Sequence, residues 1–474
     1  MAGQHRNAGR CHGDGRDPAV GLVTRTVRVG AGAGFAGDRI DPAVTLAERG
    51  NLDYLVFECL GERTVATGQA RRLADPTTGY DPLLAARMSA VLAPTTASGC
   101  TIVTNSGAAN PLAAAEVVAQ VARRTVDRPV RIAAVTGDDV LDAVRRADPV
   151  LWETGRRLSE HDDALVSANA YIGADAVLPA LDAGADVVVT GRLADPSLYL
   201  GPLVHEFGWS LDDWPLLGAG TAVGHLLECA GQLTGGYYAD PVTKPVAGLG
   251  DLGFPFADVA SDGTAVFGKA DGTGGELTMR TCAEQLLYEV GQPASYLTPD
   301  VTADFTSVTF DDRGSDRVGV RGATGRARPD ELKVTVGFRG GWMGEGQMSY
   351  AGPRALLRAQ LAADIVRERL DRVHGFDTRG IGVEFIGAGA AFRGVVPPTE
   401  APEVRLRVTA SAPDRETAAI VAWEVESLYT NGPAGGGGAR GGHTEVLAIR
   451  SCSIPRTVVR TEVHTVDVTT EVHA

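Results

Sequence analysis

One feature constrains this chain most: between residues 26 and 240, short β-branched runs alternate with alanine-rich segments of helical spacing. The runs are Thr26–Gly30, Tyr54–Glu58, Thr101–Asn105, Arg131–Gly137 and Asp186–Gly191, with Ala164–Asn169 as a weaker sixth. Pro111–Arg124 and Ala174–Ala183 are helical segments between them. Strands that are apolar along their length need cover on both faces, and intervening helices supply it. The expected fold class is therefore α/β. It is a mostly parallel sheet flanked by helices, and an open doubly wound sheet is favoured over a barrel.

The pattern changes near residue 241. From about 250 to 350 short strands alternate with glycine turns such as Asp262-Gly263, Asp271-Gly272 and Arg339-Gly340-Gly341, which predicts an antiparallel, β-rich part. A helix is expected over Arg354–Val373. Residues 381–460 read as a further unit, with strands at Val383–Ile386, Val404–Val408 and Val446–Ser451 and a helix at Arg415–Tyr429. The glycine run Gly432–Gly442 reads as a linker. The stretch Val458–Val468 reads as an edge strand or a tail. The expected division is a disordered leader at 1–24, an α/β domain over 25–375, a small domain over 381–460 and a tail over 461–474.

Composition narrows the function classes. The net charge is -15 and no Lys/Arg block is present, so the basic stripe that nucleic-acid binding needs is missing. The six cysteines are scattered with no C-x-x-C pair, which argues against a zinc ribbon or a disulfide framework and for a reducing, cytoplasmic setting. No apolar window is long enough to span a membrane. A homo-oligomer is the usual state for a metabolic enzyme of this size.

The residues that can carry chemistry cluster where the strands stop. Each of the five main runs ends in glycine or polar residues, and that edge of an open α/β sheet is where ligands bind. The first loop carries Gly32, Gly34 and Gly37 in a G-x-G-x-x-G pattern, followed by Asp38 and Arg39, and Glu58 stands where a ribose-binding acid would stand. A dinucleotide helix would start inside the glycines. Here Asp41-Pro42 reads as the helix start, so the loop is expected to offer backbone donors to a carboxylate, phosphate or thioester oxygen, with Arg39 as countercharge. Asn105 and Ser106 follow the third run. Asp138 and Asp139 follow the fourth; Arg192 and Asp195 follow the fifth. Asn110-Pro111 reads as a helix cap. A second cluster, His225, Glu228, Cys229 and Gln232, has helical offsets that put all four on one face. It can supply a general base, a carboxylate and a thiol, or hold a divalent metal through His225 and Glu228; the alternative is a satisfied core histidine.

Strings such as VGAGAGFAGDRIDPAVTLAERG, IVTNSGAANP, VVVTGRLADPSLYLGP, GTAVGHLLECAGQLTGGYYAD and GEGQMSYAGP, spread over about 27–455, resemble the acyclic terpene utilisation (AtuA) family. The resemblance implies catabolism of citronellol- and geraniol-type compounds through branched acyl-CoA thioesters. It also implies that the last 80 or so residues form a ferredoxin-like α+β module. Ser106 stands where the family often has Met, which makes it a residue expected to line the pocket.

The first function expected is a lyase or hydratase/isomerase acting on a branched carboxylic acid or acyl-CoA thioester. His225 or Glu58 would be the base, the Gly32–Gly37 amides and Asn105 the oxyanion donors, and Arg39 and Arg192 the anion holders. Glu228 and Asp138 join the catalytic candidates; Asp195 and Cys229 join the substrate-binding ones. The other two readings are an NAD(P)-dependent oxidoreductase, which absorbance at 340 nm would reveal, and a non-catalytic subunit, which co-purification with a partner enzyme would reveal.

Overall fold

The computed structural model describes residues 25–161, 164–391 and 401–469, so the leader expected at 1–24 lies outside the described residues. The first half runs β1 (Thr26–Ala33), α1 (Asp41–Arg49), β2 (Tyr54–Phe57), α2 (Glu62–Ala74), α3 (Leu84–Ser98), β3 (Thr101–Thr104) and α4 (Pro111–Thr125). It continues with β4 (Val130–Thr136), α5 (Leu141–Ala147), β5 (Ala164–Ala170), α6 (Leu178–Asp182), β6 (Val187–Thr190), α7 (Ser197–Phe207) and α8 (Trp214–Leu227). The five main runs become neighbours, all parallel, in the order β1-β2-β3-β6-β4. Tyr54–Phe57 is buried at every position, as cover on both faces requires. Helices α1, α3 and α4 pack on one another, while α7 and α8 pair with each other and reach β1, β2 and β7. Asn110 caps α4, its Oδ1 accepting from the Ala113 amide at 3.3 Å. The weak sixth run, β5, leaves this sheet and pairs elsewhere.

The second half begins with β7 (Pro255–Ala260), β8 (Ala265–Lys269), α9 (Met279–Leu287), β9 (Tyr296–Leu297), β10 (Thr302–Asp304), β11 (Thr309–Asp312), β12 (Arg317–Arg321) and β13 (Thr324–Arg326). Then come β14 (Glu331–Ala351), α10 (Ala355–Arg372), β15 (Ile381–Ile386), β16 (Glu403–Ala412), α11 (Arg415–Glu426), α12 (Leu428–Asn431), β17 (Gly436–Pro455) and β18 (Glu462–Val468).

The expectation of a mostly parallel sheet is corrected. The open sheet runs β11-β12-β8-β7-β1-β2-β3-β6-β4-β18, and every pairing outside the central five is antiparallel. The connections explain it: the β7–β8 loop, with Gly263 at φ +81°, is too short for a parallel crossover. No closed barrel forms among the described residues. The segment expected as an edge strand or a tail supplies β18, which lies antiparallel on β4 at the sheet's edge.

Strands β14 and β17 pair antiparallel along nearly their full lengths. The first part of β14 also pairs with β5, and the second part with β16, to which β15 is added. The register breaks between Arg339 and Trp342, where Gly341 sits at φ +77°. The glycine run expected as a linker is therefore largely strand. Glycines of this run and of β14 make room for α11: a Cβ on Gly441 would stand 2.6 Å from the Ala422 Cβ, and one on Gly346 2.6 Å from Val425. The stretch Trp342–Tyr350 belongs to this packed unit. Among the described residues no helix is long and apolar enough to cross a membrane.

Candidate functional site

A cleft of about 1010 Å³ opens at the carboxyl ends of β1, β2 and β6. Gly34, Asp38 and Arg39 come from the loop after β1, Glu58 from the end of β2, and Arg192 and Asp195 from the loop after β6. Glu228, Cys229 and Gln232 come from the end of α8. The facing wall is Tyr296–Pro299 and Glu331–Lys333, at the start of β14. Parallel strands leave their carboxyl-end loops free to diverge, which makes this edge concave.

Glu58 is nearly buried at the floor. Its Oε1 accepts from the Leu60 amide at 2.7 Å and from Asn105 Nδ2 at 3.0 Å. Burial, reinforced by the neighbouring Asp195, pushes its carboxyl up to about 8 despite Arg192 and those hydrogen bonds. Asn105 does not line the cleft; it is buried behind Glu58, and its Oδ1 accepts from the Cys59 amide at 2.7 Å. Ser106 also lies beneath the surface, its Oγ 2.7 Å from Thr104 Oγ1, and so does not take the pocket-lining position expected of it.

Arg192 is buried, with its guanidinium 4.0 Å from the centre of the Tyr171 ring. It bonds the Leu60 carbonyl and meets Asp195 at 3.0 Å. Its backbone is braced from behind: Asp138 Oδ2 accepts from the Arg192 amide at 2.8 Å and from Asn169 Nδ2 at 2.9 Å. Asp138 is thus a buried support, not a cleft residue. Burial raises both Asp138 and Asp195 above the usual carboxylate range.

The loop after β1 does not fit a dinucleotide. Gly32 lies inside β1, and α1 starts at Asp41, one residue beyond Ile40 rather than after an Asp41 cap. The Gly34 amide is occupied, donating to Asp38 Oδ2 at 2.9 Å. The glycines serve close packing: a Cβ on Gly32 or Gly37 would stand 2.7 Å from the Phe57 or Phe35 ring, and one on Gly34 2.5 Å from the Cys229 carbonyl carbon. Arg39 Nη1 donates to the Leu249 carbonyl at 2.9 Å.

The His225 cluster is not one continuous helical face. Helix α8 ends at Leu227, and Glu228 is its cap. His225 is buried behind the cleft, with Nδ1 2.8 Å from Glu228 Oε1 and Nε2 3.2 Å from the Leu286 carbonyl. Glu228 reaches the cleft, and burial raises it to about 7 against the pull of His225. Burial pushes the Cys229 thiol far up, so it is not an activated thiolate. With both imidazole nitrogens engaged, the donor set does not fit the divalent metal considered for His225 and Glu228. No group of three His, Cys, Asp or Glu side chains is placed to hold a metal among the described residues.

Among the lining residues that the sequence reading missed, three form one connected group. Glu62 Oε1 accepts from the Tyr171 hydroxyl at 2.5 Å and from Lys333 Nζ at 3.0 Å. Burial opposes it, but Tyr171 and Lys333 hold this carboxylate down to about 2. Glu62 lies just past the β2 end and Tyr171 just past β5, so the rule of strand ends could have found them. Lys333 stands in a strand known only by its pairing.

No curated protein and no solved structure matches the chain. The family model described as acyclic terpene utilisation family protein AtuA matches residues 27–465. On that match, which takes in the whole of the site just described, the chain belongs to the acyclic terpene utilisation AtuA family.

Proposed function

We propose that this chain is an enzyme that moves protons on a branched carboxylic acid or its acyl-CoA thioester, by lyase or hydratase/isomerase chemistry. One observation carries the reading: Glu58 and Glu228, two carboxyl groups raised by burial to about 8 and about 7, share one cleft with Arg192 and Lys333. Carboxyl groups tuned near neutrality both give and take protons. Fixed cations near them stabilise the oxygen of a carboxylate or an enolate. In this reading Glu58 and Glu228 are the catalytic residues. Asn105 and Asp138 are positioning residues, and His225 passes its expected role as base to Glu228.

The working state in this reading is a cytoplasmic homo-oligomer with a small acidic or thioester substrate, in acyclic terpene-like or specialised metabolism. We read β14-α10-β15-β16-α11-β17 as a ferredoxin-like module. Its β-α-β-β-α-β order and the antiparallel path β15-β16-β14-β17 support this.

The test is thermal stability against CoA, acyl-CoAs, branched and hydroxy acids, NAD and NADP, followed by turnover of whatever stabilises. A ligand at about 100 times its Kd adds about 2.7 kcal/mol. Stabilisation by acids or acyl-CoAs, with turnover lost in Glu58→Gln and Glu228→Gln, is the expected result. Stabilisation by NAD(P) alone, or undiminished turnover in both variants, overturns it.

A further inference from the structure

The geometry behind Glu228 goes further than its own side chain. His225 is 1% exposed. Its ring stacks on Phe305 at 5.7 Å and tilts against Tyr296 at 5.2 Å, so it cannot turn without disturbing both. Its Nε2 faces the Leu286 carbonyl, which can only accept. Nε2 therefore carries a hydrogen, and the tautomer is fixed from outside the helix that bears the ring. The remaining nitrogen, Nδ1, faces Glu228 Oε1. Two arrangements satisfy that contact: an imidazolium donating to a carboxylate, or a protonated carboxyl donating to a neutral ring. One proton lies between Nδ1 and Oε1 in either case, and Oε2, which has no hydrogen-bond partner among the described residues, is the place for a second.

We propose that His225 is a positioning residue that shares one proton with Glu228, holding the carboxyl in place and reloading it after it has protonated a ligand. The inference rests on the reading of Glu228 as an acid/base group. The proton count closes. Starting from an imidazolium donating to Oε1 of a carboxyl that is protonated on Oε2, the Oε2–H bond breaks and its proton goes to the ligand. The Nδ1 proton then moves to Oε1, leaving a neutral ring, a neutral carboxyl and one positive charge fewer on the pair.

Few groups face the pair. Gln285, beside Leu286 on α9, donates to the His225 carbonyl at 3.2 Å and adds no charge. Tyr296 faces both members, and Tyr199 and the Cys229 thiol lie near Glu228. Asp195 and Glu289 are the nearby carboxylates, and both favour the protonated pair. Glu228 Oε2 is buried without a hydrogen-bond partner among the described residues, which makes a bare carboxylate there costly.

The test is nitrogen NMR of the full chain labelled in its histidines. The buried signal is assigned by its loss in His225→Gln, or by its slow hydrogen exchange if that variant does not fold. The expected spectrum keeps Nε2 protonated throughout the titration, while Nδ1 moves together with the Glu228 carboxyl carbon. An unprotonated Nε2, or a ring titrating independently of Glu228, overturns the inference. A second arm uses whatever reaction the ligand panel reveals. His225→Asn keeps a hydrogen bond to Glu228 without the transferable proton, so kcat should fall at least tenfold and the pH profile should move while KM holds. An unmoved pH profile overturns the reloading role. A spectrum as expected combined with full turnover in Glu228→Gln sinks the catalytic reading of Glu228 but not the shared proton.

Discussion

Asn105 holds Glu58 from behind, giving its Nδ2 to Glu58 Oε1 at 3.0 Å while its Oδ1 takes the Cys59 amide at 2.7 Å. The end of β3 thereby fixes a group at the end of β2. Asn105→Ala should leave the chain folded and cut turnover by about 10- to 100-fold through loss of positioning, with kcat falling more than KM rises. Asn105→Asp should be worse, because it sets a second acid against a buried carboxyl. Steady-state kinetics on the two variants checks both.

Glu58 and Glu228 sit at about 8 and about 7, above the ordinary carboxylate value of 4.5. The folded state therefore holds these protons more tightly than the unfolded chain does. Their contribution to stability is complete below the unfolded value and is lost as pH rises through 7 and 8. Tm should fall between about pH 4.5 and about pH 8 and level off above that. Glu58→Gln should flatten that slope, and scanning calorimetry across the range measures it.

Arg87 is fully buried against Asp81, and its Nη2 also holds the Ala36 carbonyl of the loop after β1 at 2.7 Å. Arg87→Met strands a buried carboxylate and should cost about 3–5 kcal/mol. The double change Arg87→Met with Asp81→Leu should recover much of it. Denaturant unfolding of the three proteins decides; equal losses in single and double variants would show that the carbonyl contact, not the ion pair, matters.

Gly34 lies against the Cys229 backbone, where a Cβ would stand 2.5 Å from the carbonyl carbon. Neither side is a flexible side chain. Gly34→Ala should force the loop after β1 away from the end of α8, costing about 1–3 kcal/mol and weakening ligand binding. Thermal shift with and without the stabilising ligand separates the two effects.

The five parallel strands, the loops at their carboxyl ends and the cap at Asn110 were legible because each is encoded locally, in runs of apolar residues and the turn residues after them. Asn105, Asp138 and His225, read as site residues, stand behind the groups that line the cleft. Sequence spacing cannot tell a cleft-lining group from one a few ångströms behind it. The pairing of β14 with β17 was not legible at all. Glycines remove the side-chain alternation that marks a strand, and Gly441 meets Gly346 only through a register between distant segments. Lys333 was hidden because its approach to Glu62 depends on where that strand lies in the fold and not on the strand's own pattern.

Strand β18 has a consequence for how the protein is made. The Thr136 side chain at the end of β4 meets the Glu462 backbone 326 residues further along the chain. Until those late residues leave the ribosome, the outer edge of β4 is an open row of amides and carbonyls, free to pair with another nascent chain. The strand that closes this edge is synthesised long after β4 itself, so translation that stops before it would release a chain with a sticky side.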